Sequence, residues 1–397
     1  MRRAFIITAI VIVLAGVGAA GYFYFFNQAD IAVAPDGSSN LPVAGEGSPL
    51  PGETTSVPGL SPSSPVPVSA RLVKISAGPV VPGAVAVNKP GNASTSPEVA
   101  VSFIEQASGN IFTYLTQART LTRTSNRTIP GIQSASWLPN ASVAFVRYLS
   151  GDAFSTVNTY ALSSNGSGGF FLSQNLADIA VSSTSVLTLA SGVNGSAVSL
   201  GRTDDTRSSE LFTTPLSQIL VSFAGKNQYL VHTKPSATLP GDAFLVDSAG
   251  RFSRVAGPKS GLVALASPSG KWVLISYALD GGMQMELVNT ATGAALQLPV
   301  STIADKCAWT NSDSSIYCGV PGGPPAAAYP DDWYQGALHF SDRIWRIDVA
   351  SRYAQLILDF NRETDAVLDA EALALDPLGT TLVFINRNDG SFWGYSL

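Results

Sequence analysis

Charge is scarce in this chain: Asp, Glu, Lys and Arg together make up 13% of 397 residues, about half the usual share. That argues against a solvated helical bundle. The net charge is −5 and no Lys/Arg cluster occurs, so the electrostatic footprint of a nucleic-acid binder is missing. Only two histidines, His232 and His339, are present, which excludes a His-rich metal site or an HExxH helix. Two cysteines are too few for a disulfide scaffold, so a hydrophobic core must carry stability. The chain also has no Gly-x-Ser-x-Gly elbow and no glycine-rich loop followed by Lys-Ser/Thr. No catalytic residue, metal ligand or cofactor is therefore assigned.

What is plentiful is Gly, Ser, Thr and apolar side chains, the composition of short strands joined by turns. Three regions follow. Residues 1–26 open with Arg2 and Arg3 and continue as an apolar run over 4–26. At roughly 1.5 Å per residue this run spans about 33 Å, enough for a bilayer core. Tyr22, Phe23, Tyr24, Phe25 and Phe26 would lie at the far interface. The arginines place the N-terminus in the cytoplasm and the remainder outside, as a single-pass signal anchor in the cell membrane. The rival reading is a cleaved signal peptide ending near Gly18, Ala19 and Ala20. Residues 27–70, rich in Pro, Gly and Ser, cannot bury a core and read as an extended, disordered linker.

Residues 71–397 read as repeats. The stretch 261–277 (GLVALASPSGKWVLISY) is two strands around a tight turn, with Pro268 and Gly270 supplying the turn conformation. Equivalent second strands begin near Val101, Val143, Val186, Tyr229, Trp272, Ile316 and Leu382. Their spacing is about 43 residues, with one interval of about 66, in the range of four-stranded propeller blades. The expectation is an all-β, seven-bladed β-propeller. Residues 71–76 (RLVKIS) would supply the fourth strand of the last blade, closing the ring without open edges.

The turn phrase Ser267-Pro268-Ser269-Gly270, with Asp376-Pro377-Leu378-Gly379 and Leu138-Pro139-Asn140 in matching places, resembles the TolB-type and WD40-like propeller repeat. Those families carry Pro-Asp-Gly there; Ser269, Asn140 and Leu378 replace the Asp here. The pieces 126–130 (NRTIP), 233–237 (TKPSA) and 329–336 (YPDDWYQG) resemble those of membrane-anchored bacterial propellers of unassigned function. The resemblance implies fold and location, not activity.

The long interval contains one insertion, 321–342 (PGGPPAAAYPDDWYQGALHFSD), between the second and third strands of the sixth blade. Long loops on rigid scaffolds are where binding residues concentrate. Asp331, Asp332, Trp333 and Tyr334 combine acids with aromatic anchors suited to a protein or carbohydrate surface. The bland alternative is that the aromatics plug the channel and the acids cap a turn. His232 and Lys234 in the fourth blade, and Arg147 in the second, could converge on the same mouth. Cys307 and Cys318 oppose each other in a hairpin centred on Ser312 and Asp313, a disulfide register in an exported domain; two buried thiols are the alternative.

These features describe a membrane-anchored, extracytoplasmic propeller acting as a non-catalytic binding or scaffold module of the cell envelope. Its partners would be the membrane, through the N-terminal helix, and a protein or envelope polymer. One alternative is an extracytoplasmic glycan or peptide hydrolase or lyase with carboxylates at the channel mouth. Another is a structural component of a secretion or surface-appendage assembly.

Overall fold

The computed structural model describes residues 71–91, 97–204 and 206–397. The expected membrane helix and linker lie outside the described residues. Among those residues no helix is long and apolar enough to cross a membrane.

Seven four-stranded antiparallel sheets follow one another along the chain. Their second strands are Glu98–Ile104, Val143–Ser150, Ser185–Gly192, Gln228–Thr233, Trp272–Leu279, Ser315–Pro321 and Thr381–Asn386, which define blades 1 to 7. This is the seven-bladed propeller that the repeat spacing predicts. Six blades are built from consecutive strands. The seventh takes its outer strand from the start of the domain, where Leu72, Val73 and Lys74 pair with Tyr395, Gly394 and Trp393. Ile75 extends this contact, its N–H donating to the Phe392 carbonyl at 2.7 Å.

The core is divided among the blade interfaces. Each of seven buried apolar clusters bridges two neighbouring blades; Phe145 of blade 2 packs with Val186 of blade 3, and Leu230 of blade 4 with Val273 of blade 5. The second strands therefore read as near-continuous apolar runs, because both of their faces are covered: all six residues of Thr381–Asn386 are buried. No blade has a complete core of its own.

Antiparallel order fixes two faces. Connections from second to third strand, and from one blade to the next, emerge on what we call the upper face. Connections from first to second and from third to fourth strand emerge on the lower face. The lower-face turn of blade 5 shows how blades are latched there. Asp313, in the corresponding turn of blade 6, accepts hydrogen bonds from the Ser267 hydroxyl at 2.8 Å, the Ser269 N–H at 3.2 Å and the Ser269 hydroxyl. The serine that replaces Asp in this turn phrase thus takes its carboxylate from the next blade. In blade 7 Asp376 serves its own turn, accepting the N–H groups of Thr380 and Thr381, each at 2.6 Å.

Candidate functional site

The upper face at blades 6 and 7 holds the insertion, between Ser315–Pro321 and Asp342–Asp348. Its first part, Gly322 to Ala326, is exposed. The chain then turns inward at Tyr329, 2% exposed, and forms the one-turn helix Asp331–Tyr334. Trp333 is 3% exposed and its indole N–H donates to Asp369 Oδ2 at 3.0 Å. The Phe340 N–H donates to the same oxygen at 2.9 Å. Beneath the two rings lies Lys306 Nζ, 4.9 Å from the Trp333 centroid and 4.8 Å from that of Phe340.

Lys306 is an ammonium with no access to water, so it requires carboxylates. It has two, Asp342 at 2.8 Å and Asp369, all three side chains being fully buried. Asp342 Oδ2 also accepts the Ala370 N–H at 2.7 Å, while Oδ1 has no hydrogen-bond partner among the described residues. Burial, reinforced by the Asp369 charge and opposed by Lys306, pushes the Asp342 carboxyl up to about 6.

Arg387, just after the second strand of blade 7, clamps the helix from outside. Its guanidinium stacks 4.5 Å from the Trp333 ring centroid. It donates to Glu371 Oε2 at 2.7 Å, to the Trp333 carbonyl at 2.9 Å and to the Tyr334 carbonyl at 3.0 Å. A cation on the last carbonyls of a helix is favourably placed.

The four residues singled out in the insertion are thus engaged within the molecule. Asp331 Oδ1 accepts the Ala237 N–H at 3.1 Å, fastening the insertion to blade 4. Asp332 Oδ2 accepts the Ala328 N–H at 2.8 Å. Trp333 is buried, over Lys306 and against Asp369. Tyr334 is 36% exposed, and its hydroxyl end turns inward to donate to Asp305 at 2.5 Å. Burial and the Asp305 charge hold that phenol well above its ordinary range.

His232, Lys234 and Arg147 do not gather around these acids. His232 is buried, its Nδ1 lies 3.1 Å from the Thr233 carbonyl, and desolvation lowers its imidazole against the pull of Asp305 and Asp178. Lys234 points to solvent. Arg147 donates to the carbonyls of Leu176 at 2.5 Å and Ala177 at 3.3 Å, bracing blade 2 on blade 3. Asp178 performs a similar task, accepting the Val221 N–H at 3.0 Å. Cys307 faces Cys318 across the blade 6 hairpin and their sulfurs are bonded.

Sequence reasoning missed Lys306, Asp342, Asp369 and Arg387. Two signals were available: a lysine set directly before a first strand, and an aspartate at the junction where the insertion rejoins its blade.

Chemically, the mouth is a lattice of committed groups. Asp178, Asp305, Asp331, Asp332, Asp342, Asp369 and Glu371 each receive an N–H, an O–H or a cation. Among the described residues no three His, Cys, Asp or Glu side chains are placed to hold a metal ion.

The ring is similar to solved propellers. An oligogalacturonate lyase from Vibrio parahaemolyticus superposes with a TM-score of 0.55 at 7% identity, covering 83% of this chain and 94% of that one. An oligogalacturonate lyase in complex with manganese gives 0.52 at 9% identity, over 76% and 86%. Hydrazine synthase from Kuenenia stuttgartiensis gives 0.51 at 14% identity, over 80% and 96%. TolB from Acinetobacter baumannii, at 0.43 and 10% identity over 79% and 80%, is too loose a superposition to argue from. At these identities the likeness is one of fold. No family model matches the chain, and no curated protein matches its sequence.

Proposed function

We propose that the protein is a membrane-anchored, extracytoplasmic propeller that binds a protein or envelope polymer through its upper face, without catalysing a reaction. One observation carries this reading: an exposed ridge of apolar side chains, flanked by the exposed Lys234 and Asp280, runs over blades 4 to 6. Leu239 is 67% exposed in the blade 4 loop and Leu279 is 48% exposed in the blade 5 hairpin. The exposed Pro324, Pro325 and Ala326 continue it in blade 6. Contacts on the page join these pieces. Asp331 holds the Ala237 backbone, and Ala326 lies within 3.6 Å of where a side chain on Gly281 would project. The buried Lys306 cluster pins the later part of the insertion through Trp333 and Phe340, which lowers the entropy lost on binding.

An apolar surface backed by a rigid scaffold suits docking. Catalysis has less support, because the mouth carboxylates are occupied by internal partners. The names of the similar lyases add nothing here beyond fold.

The test is a crosslinking pull-down from native membranes, comparing the natural chain with the double variant Leu239→Asp, Leu279→Asp. Both positions are exposed, so the variant should fold normally. A partner captured by the natural chain and lost from the variant supports the reading. Identical captures would reject the ridge as the binding surface.

A further inference from the structure

The two faces carry opposite charge. Connections on the upper face hold twice as many Asp and Glu as Lys and Arg. Connections on the lower face hold Arg119, Arg207, Lys226, Arg251, Lys271 and Arg352. Against these stand, among the described residues, Asp204, which is exposed and followed in sequence by Asp205, and Asp313 and Asp376, both buried inside their turns. Lys89, at the lower end of the blade 1 first strand, is a further exposed cation, with the half-buried Glu98 opposite it in register. The protein as a whole is acidic at −5, so a basic face is not its average property.

Several of these cations are uncommitted. Lys89, Lys226, Lys271 and Arg352 are exposed and make no ion pair among the described residues. Lys226 and Lys271 are neighbours. The turns that carry them lie back to back, with Gly225 and Gly270, both at φ 76°, set against the Ser269 and Ala224 carbonyls in space a Cβ would fill. Arg251, by contrast, is neutralised by Asp247 at 2.6 Å.

The lower face is also where the chain enters the ring. Fourth strands run from the lower to the upper face, and Leu72–Lys74 is the fourth strand of blade 7. Arg71, exposed and donating to the Ser396 carbonyl at 3.0 Å, therefore stands at the lower face. Whatever precedes residue 71 departs from the side that carries the basic charge.

We infer that the lower face docks on the anionic lipid surface of the membrane holding the N-terminal segment. This rests on the membrane-anchor reading given above. On that reading 44 residues separate the anchor from Arg71, so the ring is tethered to the membrane it would dock on. Weak attraction from several separate cations then suffices to orient the ring, because tethering removes most of the entropy of association.

Lysine labelling by an amine-reactive reagent, read by mass spectrometry, tests the inference. The full chain is reconstituted into vesicles of phosphatidylcholine alone, or of phosphatidylcholine with phosphatidylglycerol. Labelling of Lys89, Lys226 and Lys271 should slow several-fold on the anionic vesicles, while Lys234 on the upper face keeps its rate. The protection should vanish near 1 M salt, where the screening length falls to about 3 Å. It should also vanish at Lys89 in the variant Lys226→Glu, Lys271→Glu, Arg352→Glu. Equal labelling on both lipids, or protection of Lys234 instead, overturns the inference. If the chain does not insert, the anchor reading fails separately. Anionic vesicles in large excess, which replace the proximity lost with the tether, then decide the docking: protection of the three lower-face lysines sustains it, and none refutes it.

Discussion

Asp342 and Asp369 share one ammonium, that of Lys306, in a space closed to water. One cation between two carboxylates leaves a net negative charge, so the less supported acid holds its proton more tightly. Asp369 receives Trp333, Phe340 and Lys306; Asp342 has one oxygen without a partner. Because the Asp342 carboxyl titrates near 6 in the fold, above an unfolded value of about 3.9, the folded state binds the extra proton. Its contribution to stability is present below pH 4 and is lost as pH rises to about 6, by roughly 2–3 kcal/mol. His232 works in the opposite sense: burial lowers its pKa, so stability falls as pH drops through its unfolded value near 6.5. Asp342→Asn should remove the first slope and leave the second. Its amide oxygen can replace Oδ2, while the NH2 at the unpartnered Oδ1 position is a buried donor without an acceptor, so the loss at pH 7 should be about 1–3 kcal/mol. Asp369→Asn should lower stability by about 3–5 kcal/mol at pH 7, since it weakens the support of a buried ammonium. Urea denaturation across pH 4–8 checks both; equal effects from the two variants would remove the assigned asymmetry.

The insertion behaves as an element anchored at one end and open at the other. Trp333→Ala would remove the ring that covers Lys306 and leave Asp369 short of a donor, lowering stability by about 3–5 kcal/mol. Tyr334→Phe removes a single hydrogen bond to Asp305 and should lower it by about 1–2 kcal/mol. Differential scanning calorimetry of the two variants tests this ranking, and a Trp333→Ala protein as stable as the natural one would show that the insertion is not pinned there. The contrast also marks what could be read in the sequence. The seven second strands were legible because a strand announces itself within a few residues, by an apolar run beside a Pro or Gly turn. The insertion was legible as a departure from the repeat. Its anchoring was not, because Trp333 meets an aspartate 36 residues later and Lys306 meets the same one 63 residues later. No local pattern encodes such a meeting; it follows from the ring bringing blades 6 and 7 together. The aromatic and acidic residues consequently looked like an offered surface while they serve as internal fastenings.

At the scale of the whole ring, stability is a property of closure. Each apolar cluster belongs to two blades, so a blade that loses a neighbour exposes part of its own core. Blade 7 is the place where this can be tested, because its outer strand is supplied from the other end of the domain. Leu72 packs with Tyr395 and Ile344 toward blade 6, and Ile75 with Phe392 and Val99 toward blade 1. Ile75→Pro would remove the N–H that bonds Phe392 and displace a side chain only 8% exposed. A buried aliphatic loss of about 2–5 kcal/mol should lower the melting midpoint by several degrees. Deleting residues 71–76 should do more, because it also leaves Phe392–Ser396 as an uncovered edge with unpaired backbone groups, a template for association between molecules. Heating of the deletion variant should thus show both an earlier transition and protein-concentration-dependent aggregation, followed by light scattering. A variant that melts at the natural temperature, without aggregating, would mean that the ring is held by its blade interfaces alone and that the shared blade contributes nothing to closing it.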